Sequence, residues 1–293
     1  MKYEAILVHS PRFSVRKMCG VLGLKESSYY QWKSRRCVAE ERARRDKDLA
    51  DEIKATFEEN RCVYGYRMMV RALANKGFSV SVYRVRKIMR QTGLYPASVK
   101  RFRPARAAAA NGRYFANVLA QEFSAAEPNE RWVGDITYIK TKVGWVYLAT
   151  VEDLFNREII GYAVSKRIDT ELVKRALSFA LGRTGASGKG TVFHSDRGIQ
   201  YASKSFQTML RIHGMIGSMS RPGCPYDNAV AESFFSTAKR ECIYRREYQD
   251  LGEVKADLFA YIELFYNRKR MHSTLGYKTP VEFKRRYLQG IAA

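Results

Sequence analysis

Apolar positions along the first ninety-odd residues recur at helical spacing. Ser14 is placed to cap a helix whose inner face is Val15, Met18, Cys19 and Leu22. Gly23 supplies a tight turn, and a second helix starts near Glu26 and carries Tyr29, Tyr30, Trp32 and Lys33. This is the pattern of a helix-turn-helix, and equally of a helical hairpin that touches no DNA. Residues 40–59 read as a charged helix with Leu49, Ile53 and Phe57 on one face. A helical pair follows between Gly65 and Leu94. Val70 and Leu73 mark its first apolar face, Gly77 stops it, and Ser79 or Ser81 caps the next helix. There Val82, Val85, Ile88 and Met89 are expected to face inward, with Arg84, Arg86, Lys87 and Arg90 on the opposite side. Such a one-sign face suits phosphate tracking better than simple solvation.

The helical period is lost over residues 97–130, where Lys100, Arg101, Arg103 and Arg106 accompany Pro96, Pro104 and an alanine run. That stretch reads as a basic linker. From Arg131 the period changes to that of strands. Trp132–Ile139, Val146–Asp153 and Glu158–Ser165 form an expected antiparallel meander. After it come a helix over Asp169–Gly182, a strand at Thr191–His194, a helix over Ser203–His213, a strand at Met215–Met219 and a helix over Asp227–Tyr244. A last amphipathic helix spans Leu251–Arg270 and ends in a basic stretch that includes Arg268 and Arg270. Three hairpin strands followed by alternating helix and strand predict an α/β fold, a ribonuclease H-like mixed five-stranded sheet with flanking helices, behind an all-α N-terminal region. The expected units are a helix-turn-helix-like segment (1–38), a helical DNA-binding domain (39–96), a basic linker (97–125), a catalytic core (126–248) and a C-terminal helical extension (249–293).

Charge sharpens this picture. The 52 Lys and Arg outnumber 29 acidic residues for a formal net charge of +23, and residues 1–106 alone hold 25 basic against 10 acidic side chains. A field of this sign favours a polyanion such as nucleic acid, with a merely soluble basic protein or one that sits on anionic membranes as the alternatives. No segment approaches the roughly 18 consecutive apolar residues of a membrane span, and the N-terminus lacks a secretory signal, so a cytosolic protein is expected. The five cysteines are scattered with no Cys-x-x-Cys pair, and there are only four His, which argues against a disulfide framework or a structural zinc site.

Three carboxylates stand where such a fold converges. Asp135 lies mid-strand in an apolar run, where an unpaired charge is costly. Asp196 follows a strand at its C-terminal end. Glu232 sits in the first turns of a helix. Each alone has a structural explanation: a strand Asp paired with Arg, a turn Asp, a helix-start Glu favoured by the dipole. Together, in this order, they suit hard, oxygen-seeking magnesium, and two such ions polarise a phosphodiester. Lys239, seven residues beyond Glu232 on the same helical face, is a candidate phosphate contact, or a solvated lysine. Asp153 and His194 read as turn, packed or outer-layer groups rather than metal ligands.

The residues around these acids carry a resemblance. Trp132-Val133-Gly134-Asp135-Ile136-Thr137-Tyr138, His194-Ser195-Asp196-Arg197-Gly198, and Pro225-Tyr226-Asp227-Asn228-Ala229 through Glu232-Ser233-Phe234-Phe235 to Lys239 resemble the three acid motifs of the integrase-type core shared by retroviral integrases and bacterial insertion sequences. The 35 residues between Asp196 and Glu232 match that superfamily's spacing. Tyr64-Gly65-Tyr66-Arg67 and the segment from Tyr266 through His272, Leu275-Gly276-Tyr277 and Pro280 are similar to the B-frame transposases of the IS-three family, so the likeness covers nearly the whole chain.

The resemblance implies a DNA transposase with Asp135, Asp196 and Glu232 as catalytic and metal-ligating residues, using two Mg2+ ions (Mn2+ a substitute) for 3′-end cleavage and strand transfer. It implies double-stranded DNA partners (terminal repeats and target), a homo-oligomer on DNA, a bacterial cytoplasmic, nucleoid-associated location, and an A-frame protein or fusion carrying the main end-recognition helix-turn-helix and a leucine zipper. The DNA-contacting residues expected are Lys239, Arg84, Arg86, Lys87, Arg90, Lys100, Arg101, Arg103, Arg268 and Arg270. Two other readings stay open from sequence: a catalytically inactive DNA-binding repressor or domesticated remnant, and a nuclease on RNA–DNA hybrids.

Overall fold

The computed structural model describes residues 1–96, 114–222 and 224–290. Lys100, Arg101, Arg103 and Arg106 lie outside them, as does most of the expected linker. Three helices open the chain: α1 (Lys2–His9), α2 (Val15–Leu22) and α3 (Glu26–Glu59). Gly23 ends α2 at φ 67°, a left-handed conformation that costs glycine little. Ile6, Cys19 and Tyr29 form the small core between these helices, with Tyr3 and Trp32 stacked at 5.5 Å beside it.

The hairpin's second helix and the charged helix expected over 40–59 are one continuous α3, so the expected boundary at 38/39 falls inside it. Its middle is rich in Glu, Arg, Lys and Ala, strong helix formers with no Gly or Pro to interrupt the hydrogen-bond ladder. Leu49, Ile53 and Phe57 then pack on α4 (Tyr66–Asn75) and α5 (Val82–Gln91), through Met69, Leu73, Val85, Ile88 and Met89. Ser81 caps α5 by accepting from the Arg84 N–H at 3.2 Å. Val82, expected inward, is 48% exposed, because the first turn of α5 projects past the three-helix contact.

The sheet comprises β1 (Arg131–Thr141), β2 (Gly144–Asp153), β3 (Ile159–Ser165), β4 (Val192–Ser195) and β5 (Ile216–Met219), in the order β3-β2-β1-β4-β5. The first three pair antiparallel, while β4 joins β1 and β5 in parallel, each reached through a helical crossover. The crossovers are α6 (Thr170–Thr184), between β3 and β4, and α7 (Ile199–Ala202) with α8 (Lys204–Ile212), between β4 and β5. Asp169 and Ser203 cap α6 and α8 by accepting from Leu172 and Phe206 N–H groups.

On one face of the sheet α6 and α8 bury Leu172, Val173, Leu177, Phe206 and Leu210 against Trp132, Val151 and Ile160. On the other, α9 (Ala229–Glu241) and α10 (Leu251–Phe259) pack Phe234, Phe235, Val254 and Leu258 against Ile139, Val146, Leu148 and Ile159. Helices α4 and α5 belong to that second core. Tyr64 secures the join: its hydroxyl donates to the Lys269 carbonyl at 2.9 Å and accepts from the Met271 N–H at 3.2 Å.

Helix α10 continues as a π-helical turn over Ala260–Tyr266. This widening carries Asn267, fully buried, onto the free edge of β3, where its amide pairs with both the N–H and the carbonyl of Ile159 at 3.0 Å each. A final helix, α11 (Pro280–Leu288), capped by Thr279, extends beyond the one expected in the C-terminal region.

Candidate active site

Sheet register places the first two acids. Gly134 of β1 pairs with Ser195, the last residue of β4, in the parallel ladder, so Asp135 on β1 and Asp196 just past the end of β4 come next, side by side. Neighbouring strands lie roughly 4.8 Å apart. Burial, then the Asp196 charge, then the Glu232 charge push the Asp135 carboxyl up to about 8, despite hydrogen bonds from the Ile136 N–H at 2.7 Å and the Asn228 side chain. Burial raises Asp196 as well, opposed by the Gly198 N–H donating at 2.9 Å.

Glu232 lies in the first turn of α9 with its side chain exposed. It is near enough to bear on Asp135. Among the described residues, however, no three His, Cys, Asp or Glu side chains converge tightly enough to hold a metal as they stand. Asp135 and Asp196 are brought together, and Glu232 stands beside them.

Close packing keeps the two strands in place. A Cβ added at Gly134 would lie 2.5 Å from the Phe193 ring. Phe193 in turn packs on Tyr201 and Phe206. Tyr201 is buried near both acids, and burial followed by their charges holds its phenol well above the usual range. Tyr201 and Asn228 were not singled out from sequence. Asn228 stood inside the third motif, but its approach to Asp135 depends on the short 3-10 turn Pro225–Asn228 that precedes α9. The Asn228 Oδ1 is buried without a hydrogen-bond partner.

That turn is anchored by Asp227, which accepts from Asn117 at 2.8 Å, Gln121 at 2.7 Å and the Arg221 backbone at 2.8 Å. Hydrogen bonds from Arg221 above all hold Asp227 far below the usual carboxylate range. His194 is fully buried between Ser218 at 2.9 Å and Ser220 at 3.2 Å, and burial lowers it to about 4. Asp153 accepts from the Asn129 and Phe155 N–H groups and organises the turn after β2.

Lys239 is half-buried with its ammonium 4.9 Å from the centre of the Tyr138 ring. Burial lowers its proton affinity, and Asp135 restores part of it. On α5, Arg86, Lys87 and Arg90 are exposed, while Arg84 is ion-paired with Asp46. Arg268 is exposed. Arg270 departs from expectation: it forks onto both Glu241 oxygens at 2.9–3.1 Å in a largely buried setting, so its charge is engaged inside the protein and it leaves the DNA-contacting set.

A mixed sheet in this order, with acids on β1 and just after β4 and a helix bringing a third, defines an integrase-type polynucleotidyl transferase core on a ribonuclease H-like fold. The Integrase core domain family matches residues 125–225 and a second Integrase core domain model matches 213–280, while an HTH-like domain matches 43–102. That last match falls on α3–α5, later in the chain than the turn at Gly23.

Among curated proteins the chain is 37% identical over 288 residues to transposase InsF for insertion sequence IS3A of Escherichia coli K12, covering 98% of this chain and all of the relative. It is 41% identical over 240 residues to the transposase for insertion sequence element IS904 of Lactococcus lactis, covering 81% of this chain and 93% of the relative. The chain therefore belongs to the insertion-sequence transposases of the IS3 family. Solved structures with similarity include a simian T-cell lymphotropic virus intasome (17% identity, 72% of this chain and 69% of that one, TM-score 0.46). Another is the HTLV-2 integrase catalytic core with magnesium (17% identity, 54% and 98%, TM-score 0.38).

Proposed function

We propose that this transposase cuts DNA at the 3′ ends of its element and joins the exposed ends to new DNA, with Asp135, Asp196 and Glu232 as the acidic triad. The observation that carries this reading is the pair of half-buried carboxylates, Asp135 and Asp196, held side by side by strand register, with neither ion-paired among the described residues.

The donor set fits divalent magnesium. It is all oxygen, two of its members are raised in proton affinity by confinement, and the orphaned Asn228 Oδ1 adds a further buried oxygen beside Asp135. Asp135 and Asp196 would hold the metal from the sheet. Glu232, with no ion pair among the described residues, would close on it from α9. When bound, Mg2+ supplies charge stabilisation for a phosphoryl transfer and acidifies the attacking hydroxyl or water.

The protein's own residues position the DNA. Lys239, over Tyr138 and in the field of Asp135, holds a backbone phosphate close to the acids. Arg86, Lys87 and Arg90 of α5 and the exposed Arg268 follow the duplex further out. In the first reaction a water oxygen bonds to phosphorus and the 3′-oxygen departs, taking a proton to become a 3′-hydroxyl. In the second that hydroxyl displaces the 3′-oxygen of another phosphodiester, conserving the number of ester bonds. The terminal repeats and target DNA are the substrates, further copies of the chain assemble on them, and an A-frame product contributes end recognition.

Single substitutions Asp135→Asn, Asp196→Asn and Glu232→Gln are expected to abolish Mg2+-dependent cleavage and joining of an element-end duplex while leaving its binding intact in gel-shift assays. A Glu232→Gln protein that joins strands at the parental rate would sink the assignment.

A further inference from the structure

The turn end of the β1–β2 hairpin and the segment after α9 enclose a groove of about 670 Å3. Its walls carry the aromatic side chains Tyr138, Trp145 and Tyr244 and the cations Lys140, Lys142 and Arg246. Trp145 lies 5.3 Å from Tyr138 at 82°, a diagonal cross-strand pair, and is 47% exposed, so indole surface faces solvent rather than core. The groove is built rather than incidental: the Lys142 N–H donates to the Tyr248 carbonyl at 2.9 Å, and Thr141 bridges to Tyr248, fixing one wall to the other.

Cations predominate on the walls. Lys140 and Lys142 are exposed and carry no ion pair among the described residues, Arg246 shares its charge with Asp257 at 3.0 Å, and Glu247 is the one acid in the lining. Tyr138 joins the groove to the active site, since the ammonium of Lys239 sits over its ring. Aromatic surface open to solvent, interleaved with unpaired lysines, is the combination that takes unstacked bases along with their phosphates. Duplex DNA offers phosphates to the lysines but no base face to Trp145.

We propose that this groove binds an unpaired nucleotide of single-stranded DNA adjoining the cleavage site, with Trp145 as the stacking platform and Lys140 and Lys142 on the flanking phosphates. The inference rests on the proposed function only in taking DNA as the substrate.

The test measures, by fluorescence anisotropy in EDTA, the binding of the full chain to a labelled duplex ending blunt, in a short thymidine overhang, or in an abasic overhang of equal length. The thymidine overhang is expected to bind tighter than the abasic one by about 5- to 150-fold for one stacked base. Trp145→Ala should erase that difference, Trp145→Phe should keep it, and Lys142→Ala should weaken both overhangs alike. Equal affinity for thymidine and abasic overhangs in the parent protein, or a preference that survives Trp145→Ala in a protein with parental circular dichroism, overturns the proposal. Mg2+-dependent cleavage, scored separately on the same proteins, distinguishes the two failures. An overhang preference without cleavage refutes the proposed reaction and leaves the groove. Cleavage without the preference does the reverse.

Discussion

Asn267 tests how the C-terminal region is tied to the sheet. Its amide occupies the position of a missing strand neighbour, accepting from the Ile159 N–H and donating to the Ile159 carbonyl, both at 3.0 Å, with Ile159 and Asn267 fully buried. Asn267→Ala would leave both backbone groups without a partner and out of reach of water. Each such group costs about 1–3 kcal/mol, so the variant should lose roughly 2–6 kcal/mol. That is a large part of the 5–15 kcal/mol that typically holds a domain together.

Urea unfolding followed by circular dichroism reads this as a lower midpoint at unchanged slope. Asn267→Asp supplies a sharper control. One oxygen still accepts from the N–H, but the other meets the Ile159 carbonyl and satisfies it only when protonated. The folded-state pKa of that carboxyl is therefore raised above its unfolded value, so its contribution is present at low pH and lost as pH rises. The aspartate variant should come closest to the parent near pH 4 and fall away toward pH 7. An Asn267→Ala midpoint within error of the parent, or an aspartate variant with no such pH dependence, would refute the edge-pairing argument.

Other expectations follow from the same contacts. Gly134→Ala forces a methyl group to within 2.5 Å of the Phe193 ring; it should cost about 1–3 kcal/mol in chemical unfolding and, by displacing β4 and Asp196, reduce strand joining more than DNA binding. Glu241→Ala removes the partner of a largely buried Arg270 and should cost about 3–5 kcal/mol, with Glu241→Ala/Arg270→Met recovering much of it in a double-mutant cycle.

Glu152 is buried, its Oε2 lacks a hydrogen-bond partner, and burial pushes it up to about 8 against the weaker pull of Arg157 at 3.7 Å. Between the unfolded value near 4.5 and that figure the folded protein retains a proton that the unfolded chain has released. Stability should thus fall as pH rises through this window, by at most about 5 kcal/mol, and Glu152→Gln should flatten the trend in thermal melts across pH.

Much of this protein is legible from local pattern. β-rich runs over Trp132–Ile139 and Val146–Asp153, parted by a polar turn, mark β1 and β2, Gly23 and Gly77 mark helix ends, and the three acids stand out through their places in the element order. These are properties of neighbouring residues, carried by backbone sterics and side-chain period, so a linear reading reaches them. What depended on residues far apart was not reachable that way. Arg270 reads as part of a DNA-contacting basic stretch, but folding sets it against Glu241, 29 positions earlier. Val82 fitted the apolar face of α5, but how far that helix projects is settled by its packing on α3 and α4. Nothing near Asn267 foretells that a π-helical turn will press it onto the edge of β3.

The acids divide along the same line. Their identity and order belong to the sequence. That Asp135 and Asp196 sit beside each other with altered proton affinity, while Glu232 stays exposed, follows from β1–β4 register and the start of α9, because burial and mutual repulsion exist only once the chain has folded.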